Sequence, residues 1–129
     1  MNLGKKNLQT AKNLVTYLYD HPEIGGEEFK AQALYKKILE EAGFDYKEGL
    51  GMETDFIASY KGDADGPVIA FCAEYDALPE IGHGCGHNHF GGMSLLAALE
   101  MKEVVNQCGG EVRLYGTPGE ENLGGKIHL

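Results

Sequence analysis

Residues 67–76 read PVIAFCAEYD, a nearly continuous apolar run that ends on a carboxylate. Val, Ile and Phe favour a pleated backbone, and a run without polar alternation predicts a strand covered on both faces, as in parallel sheets. Just upstream, DFIASYKG alternates Phe56, Ala58 and Tyr60 against Ile57 and Ser59, the period of a half-buried strand. GDADG, residues 62–66, separates the two with turn residues. Downstream, residues 90–107 have helical spacing, with Met93, Leu96, Ala97, Met101, Val104 and Val105 on one face. Leu95, Ala98 and Leu99 fill much of the other side, so this helix is expected to be deeply buried. CGG stops it, and EVRLYGT, residues 111–117, reads as another strand.

The N-terminal third is helical. Leu8, Ala11, Leu14, Val15 and Leu18 recur at helical spacing over residues 8–19, and DHPE ends that helix. Residues 27–42 form a second helix whose stripe is Ala31, Leu34, Tyr35, Ile38, Leu39 and Ala42. Glu27 and Glu28 suit its N-terminus through the helix dipole, and Gly43 is its expected stop. Helices interleaved with strands predict an α/β fold, a mixed β-sheet flanked by helices.

Composition narrows the function. The chain has 129 residues, about one domain, with 43% apolar and 24% charged residues, ordinary for a globular protein. A net charge of −9 argues against a nucleic-acid groove or an anionic membrane surface. No run reaches the ~18 apolar residues of a membrane span, and MNLGKKNLQTAKNLVTYLYD lacks the pattern of a secretory signal. Three Cys without framework spacing point to a reducing, cytoplasmic compartment. The chain closes on GGKIHL, which reads as the start of a further helix, so a longer parent protein is expected.

The chemistry concentrates after the apolar strand. IGHGCGHNHFGG, residues 81–92, holds His83, Cys85, His87 and His89, a dense set of the donors that Zn²⁺-like ions prefer. In an extended segment, His83, Cys85 and His87 would face one point, with Gly84 and Gly86 letting the backbone approach closely. TPGEEN places Glu120 and Glu121 at the end of another strand, where sites of α/β sheets collect. One of these glutamates can bind a metal while the other stands free as a proton acceptor, the division of labour that hydrolysis requires. Asp76 is either a turn residue or a carboxylate that orients a ligand. Glu74 is open as a ligand, a supporting group or a merely polar residue. A Cys85–His87 nucleophile pair is the alternative chemistry, but no third group is evident to orient it. His21 reads as a turn residue at a helix end, His128 as outward-facing, Cys72 as a buried small hydrophobe and Cys108 as helix-end packing.

HPEIGGEE, AEYDALPEIGHGCGHN and GTPGEENLGGK follow one another in the order and at roughly the spacing of M20-type metallopeptidases. The chain most resembles the amidohydrolase branch, which includes N-acyl-amino-acid hydrolases, aminobenzoyl-glutamate hydrolases and related dipeptidases. EIGHGCGHN looks more like the aminobenzoyl-glutamate and β-alanyl dipeptidase side than the auxin-conjugate side, which usually carries CGHD. The resemblance implies that Cys85, His87 and Glu121 are metal ligands and that Glu120 is the general base. Asp76 joins Glu120 in the expected catalytic set. His83 and His89 are not ligands in the family pattern, which departs from the extended-segment argument for His83.

The resemblance further implies two divalent ions, Zn²⁺ or Mn²⁺, and cleavage of an amide bond in a small N-acyl amino acid or dipeptide. On this reading residues 1–129 are the N-terminal part of a catalytic domain. Two further histidine ligands and an inserted dimerisation domain then lie elsewhere, the full-length form is a homodimer, and the isolated chain is expected to be inactive. The alternative reading is a non-catalytic remnant that serves as a metal-binding or interaction module.

Overall fold

The alternating and the continuous apolar segments join one sheet in the computed structural model, which describes residues 4–129. Its strands are β1 (Asp45–Glu48), β2 (Phe56–Lys61), β3 (Val68–Ala73) and β4 (Glu111–Gly116), in the order β1-β2-β4-β3. β2 pairs antiparallel with β1 and with β4, while β3 runs parallel to β4. A parallel pair needs a long crossover. Here α3 (His87–Cys108) supplies it and packs against β3, β4 and β2. α1 (Lys5–Asp20) lies on α3, and α2 (Phe29–Glu41) contacts β1.

Pairing in register sorts the side chains into two faces. Phe56 and Ala58 stand opposite Gly116 and Leu114, and Phe71 stands beside Leu114. This face meets Leu95, Ala98 and Leu99 of α3, Leu14 and Leu18 of α1, and Tyr35 and Leu39 of α2 in one core. Each fully buried Leu or Phe of this core contributes roughly 1.5–3 kcal/mol relative to exposure. Tyr35, with ring centroids 5.2 Å from Phe56 and 5.4 Å from Tyr75, fills the centre. Gly43 ends α2 at φ 89°, and the next residue, Phe44, donates its N–H to Leu39 and is buried.

Several expectations need correction. β3 is an edge strand, and Val68, Ala70 and Cys72 on its outer face are exposed, so its apolar run is covered on one face only among the described residues. Cys72 is therefore not a buried small hydrophobe, and Cys108 is exposed too. β1, with sequence DYKE, has no apolar alternation to mark it as a strand; pairing with β2 holds it. α1 begins at Lys5, three residues before the expected start, where Gly4 N–H and the Asn7 amide both donate to Glu100 of α3. α3 begins at His87, and its buried residues include Leu95, Ala98 and Leu99, whereas Met93 is exposed. Among the described residues, no helix is long and apolar enough to cross a membrane.

Candidate metal centre

Because β3 and β4 are parallel neighbours, their carboxyl ends leave the sheet side by side. β3 runs out into Glu74, Tyr75 and Asp76, and β4 into Thr117, Pro118, Gly119 and then α4 (Glu120–Leu123). Thr117 fastens the two exits together, donating its N–H (2.9 Å) and its hydroxyl (3.1 Å) to the Ala73 carbonyl. The loop after Asp76 closes with a 3₁₀ turn at His83–Cys85, and Gly86, at φ 83°, turns the chain into α3. A residue with a Cβ rarely adopts that conformation. The segment is thus not extended, which removes the geometric basis for aiming His83, Cys85 and His87 at one point.

Cys85, His87 and Glu121 each bring one donor atom within 4.8 Å of the others'. Glu74, His87 and Glu120 form a second group by the same measure. His87 belongs to both and is buried. Its Nδ1 lies 2.7 Å from Asp76 Oδ1 and 3.2 Å from the Asp76 carbonyl oxygen. With the proton held on Nδ1 and donated to Asp76, the lone pair of Nε2 is free. Nε2 faces Glu74 Oε2 at 3.0 Å and Glu121 Oε1 at 3.6 Å. Asp76 is fully buried, and its other oxygen accepts the Glu121 N–H at 3.2 Å. The Cys85 thiol approaches the Asp76 carbonyl at 3.6 Å. One aspartate therefore touches the start of α3, the start of α4 and the turn that carries Cys85.

Glu74, Asp76, Glu120 and Glu121 gather around this imidazole. Lys126, on α5 (Gly125–His128), pairs with Glu74 and stands 3.5 Å from Glu120. Burial lowers the pKa of its ammonium, but the pairing with Glu74 and Glu120 outweighs this and holds it above the usual lysine value. The carboxylates still outnumber the ammonium. A thiol, an imidazole nitrogen and carboxylates in one negative cluster form a donor set that fits a divalent metal ion.

The other histidines stand apart from both groups. His83 is buried, and neither of its ring nitrogens has a hydrogen-bond partner among the described residues. Burial pushes its pKa down, aided by His87 and His89 and opposed by Asp76. His89 is exposed and bonds Asn88 at 3.2 Å. His21 stacks on Tyr17, and His128 is exposed. Glu74, left open by the sequence, stands against His87. Glu28, read as a helix-dipole residue, is instead wholly buried and accepts three hydrogen bonds. Nothing in the adjacent pair Glu27–Glu28 shows which of the two turns inward.

No family model matches the chain. It is 38% identical to one of the subunits of the p-aminobenzoyl-glutamate hydrolase of Escherichia coli, over 94% of this chain and 29% of that protein. It is 34% identical to N-acetyl-L-cysteine deacetylase of Bacillus subtilis, over 81% of this chain and 28% of that protein. The chain thus spans less than a third of the length of these relatives. Among solved structures it resembles the YXEP protein of Bacillus subtilis, described as a dinuclear metal-binding peptidase of the M20 family. That match has a TM-score of 0.68 and 27% identity, covering 88% of this chain and 36% of that one.

Proposed function

The chain belongs to the M20-type metallopeptidase and amidohydrolase family, and on that premise we propose that it carries part of the active site of a metal-dependent amide hydrolase. One observation carries the reading: Cys85, His87 and Glu121, the last far from the other two in sequence, converge within 4.8 Å. In this reading these three hold a divalent ion, Zn²⁺ or Mn²⁺, and the complete site holds two. Glu74, beside His87 and Glu120, supports a second position. A bound divalent ion supplies Lewis acidity, which polarises a carbonyl and makes water nucleophilic near neutral pH.

The chain's own groups supply the rest. Asp76 keeps the proton of His87 on Nδ1 and so keeps Nε2 aimed at the carboxylates. Glu120 accepts the proton of the attacking water as the C–O bond forms. It then passes that proton to the departing nitrogen as the C–N bond breaks. The substrates are small N-acyl amino acids or dipeptides, with aminobenzoyl-glutamate-like compounds in keeping with the relatives.

The whole protein is longer in this reading, and residues 1–129 are the N-terminal part of its catalytic domain. The exposed apolar outer face of β3 supports this, since a parallel strand is ordinarily covered on both sides. An inserted dimerisation domain, two further histidine ligands and a homodimer follow from the family resemblance. Three unpaired cysteines, two of them exposed, are in keeping with a reducing cytoplasmic setting. The test is hydrolysis by the whole protein with and without chelator. Chelation is expected to abolish it, and Zn²⁺ or Mn²⁺ to restore it. Full activity in excess chelator would instead favour Cys85 as a nucleophile.

A further inference from the structure

Glu28 lies just before α2, far in sequence from every residue of the candidate centre, and has no exposed surface. Its Oε1 accepts the Gly26 N–H at 2.6 Å and the Thr54 hydroxyl at 3.0 Å. Its Oε2 accepts the Gly119 N–H at 2.7 Å, across 91 residues of sequence. Thr54 in turn accepts the Tyr75 hydroxyl on its carbonyl at 2.6 Å. A buried chain of hydrogen bonds thus runs from the strand end that carries Glu74 and Asp76 to the residue that precedes Glu120.

The backbone contact beneath this network is equally close. A Cβ on Gly25 would stand 2.8 Å from Gly119 Cα, so the two glycine turns touch directly. α4 has four residues, none of them buried, and no side-chain cap. So short a helix does not hold its own position. Its anchors are the Gly119 N–H on Glu28 and the Glu121 N–H on Asp76.

We propose that Glu28 is a positioning residue: its buried carboxylate holds Gly119 and thereby sets where Glu120 and Glu121 stand relative to His87. This deepens the metal-centre reading and rests on it for the roles of the two glutamates. A buried carboxylate with no cationic partner among the described residues is costly. An amide could not replace it, because a carboxylate accepts at both oxygens and an amide at one. In Glu28→Gln, the carbonyl turned toward Gly26 and Thr54 leaves the NH₂ group facing the Gly119 N–H. Two donors then oppose each other and Gly119 is released.

The test uses the full chain and Co²⁺ alone as the probe, with amide hydrogen exchange as a metal-free readout. In Glu28→Gln, exchange at Gly119 and at Glu121 is expected to rise, while Gly26 stays protected. Co²⁺ affinity is expected to fall by about 10–100-fold, as for other supporting groups of metal sites. The thiolate-to-cobalt absorption of Cys85 at saturating metal should persist, because Glu28 does not touch Cys85. Glu28→Asp keeps the carboxylate but shortens its reach to the Gly119 N–H, should reproduce the affinity loss and the faster Glu121 exchange, and decides the matter if Glu28→Gln does not fold. A merely structural role would free Gly119 while leaving Glu121 exchange and Co²⁺ affinity at wild-type values, and that result overturns the proposal. A wild-type chain that takes up no Co²⁺ would count against the metal reading. The exchange at Glu121 would still decide whether Glu28 positions α4.

Discussion

The two halves of the candidate centre are built differently. His87 and Asp76 are buried, joined at 2.7 Å, and fixed to the long α3 and to the end of β3. Glu120 and Glu121 sit on a helix of four residues, with side chains 38% and 41% exposed. The first half is preorganised by the core, whereas the second depends on two backbone N–H contacts to buried carboxylates. The orientation of His87 thus comes from the sheet and α3, whereas the proposed base Glu120 and the proposed ligand Glu121 come from a loop laid over them. Mutations in the two halves should fail in different ways.

The largest separation is expected in turnover. Glu120→Gln in the whole protein keeps size and removes the proton acceptor, so kcat should fall by about 10²–10⁴-fold. A steady-state assay checks this, and normal kcat would remove Glu120 from the mechanism. Next, Asp76→Asn no longer enforces the Nδ1 proton on His87, and metal affinity should drop by about 10–100-fold. Competitive chelator titration reads that loss, and unchanged affinity would show that the buried half needs no orienting carboxylate.

A core substitution should act on both halves alike. Leu114→Ala empties a fully buried site and is expected to cost about 2–5 kcal/mol in denaturant unfolding of the metal-free chain. The smallest effect is expected from Lys126→Met, whose ion pairs are partly exposed. A stability change below about 1 kcal/mol is expected there, and a larger loss would mean that α5 anchors the exposed half.

Glu28 adds a pH dependence. Burial raises its pKa above 4.5, partly offset by the N–H and hydroxyl donors around it. Relative to the unfolded chain, the folded state therefore binds this proton more readily. The associated stability is fully present below the unfolded value and is lost as pH rises through the folded one. The difference in unfolding free energy between wild type and Glu28→Gln should change across that window and be flat outside it.

Much of the scaffold is legible in the sequence because its periods are strong. Leu14 and Leu18 of α1, Tyr35 and Leu39 of α2, and Phe56 and Ala58 of β2 recur at their expected spacing and are buried. β1 is not legible, because DYKE offers a single inward side chain, Tyr46, which shows no period and is placed by pairing with β2 and stacking on Phe56. The outer face of β3 misleads for the opposite reason: an apolar run records what a strand is suited to, not what covers it among these residues. In the candidate centre, motif resemblance singles out Cys85, His87, Glu120 and Glu121. Their arrangement depends on a left-handed Gly86 and on contacts to Asp76 that no local pattern encodes. Glu28 becomes apparent only once α2 and the loop after β4 are packed together.

The most direct test is metal content measured in parallel with turnover for Glu120→Gln and Glu121→Gln in the whole protein. Glu120→Gln is expected to keep metal near the wild-type level while losing turnover. Glu121→Gln is expected to lose both, since a neutral amide replaces a carboxylate ligand poorly. Equal metal loss in the two variants, or full metal retention in Glu121→Gln, would contradict the assignment of the free base and the ligand.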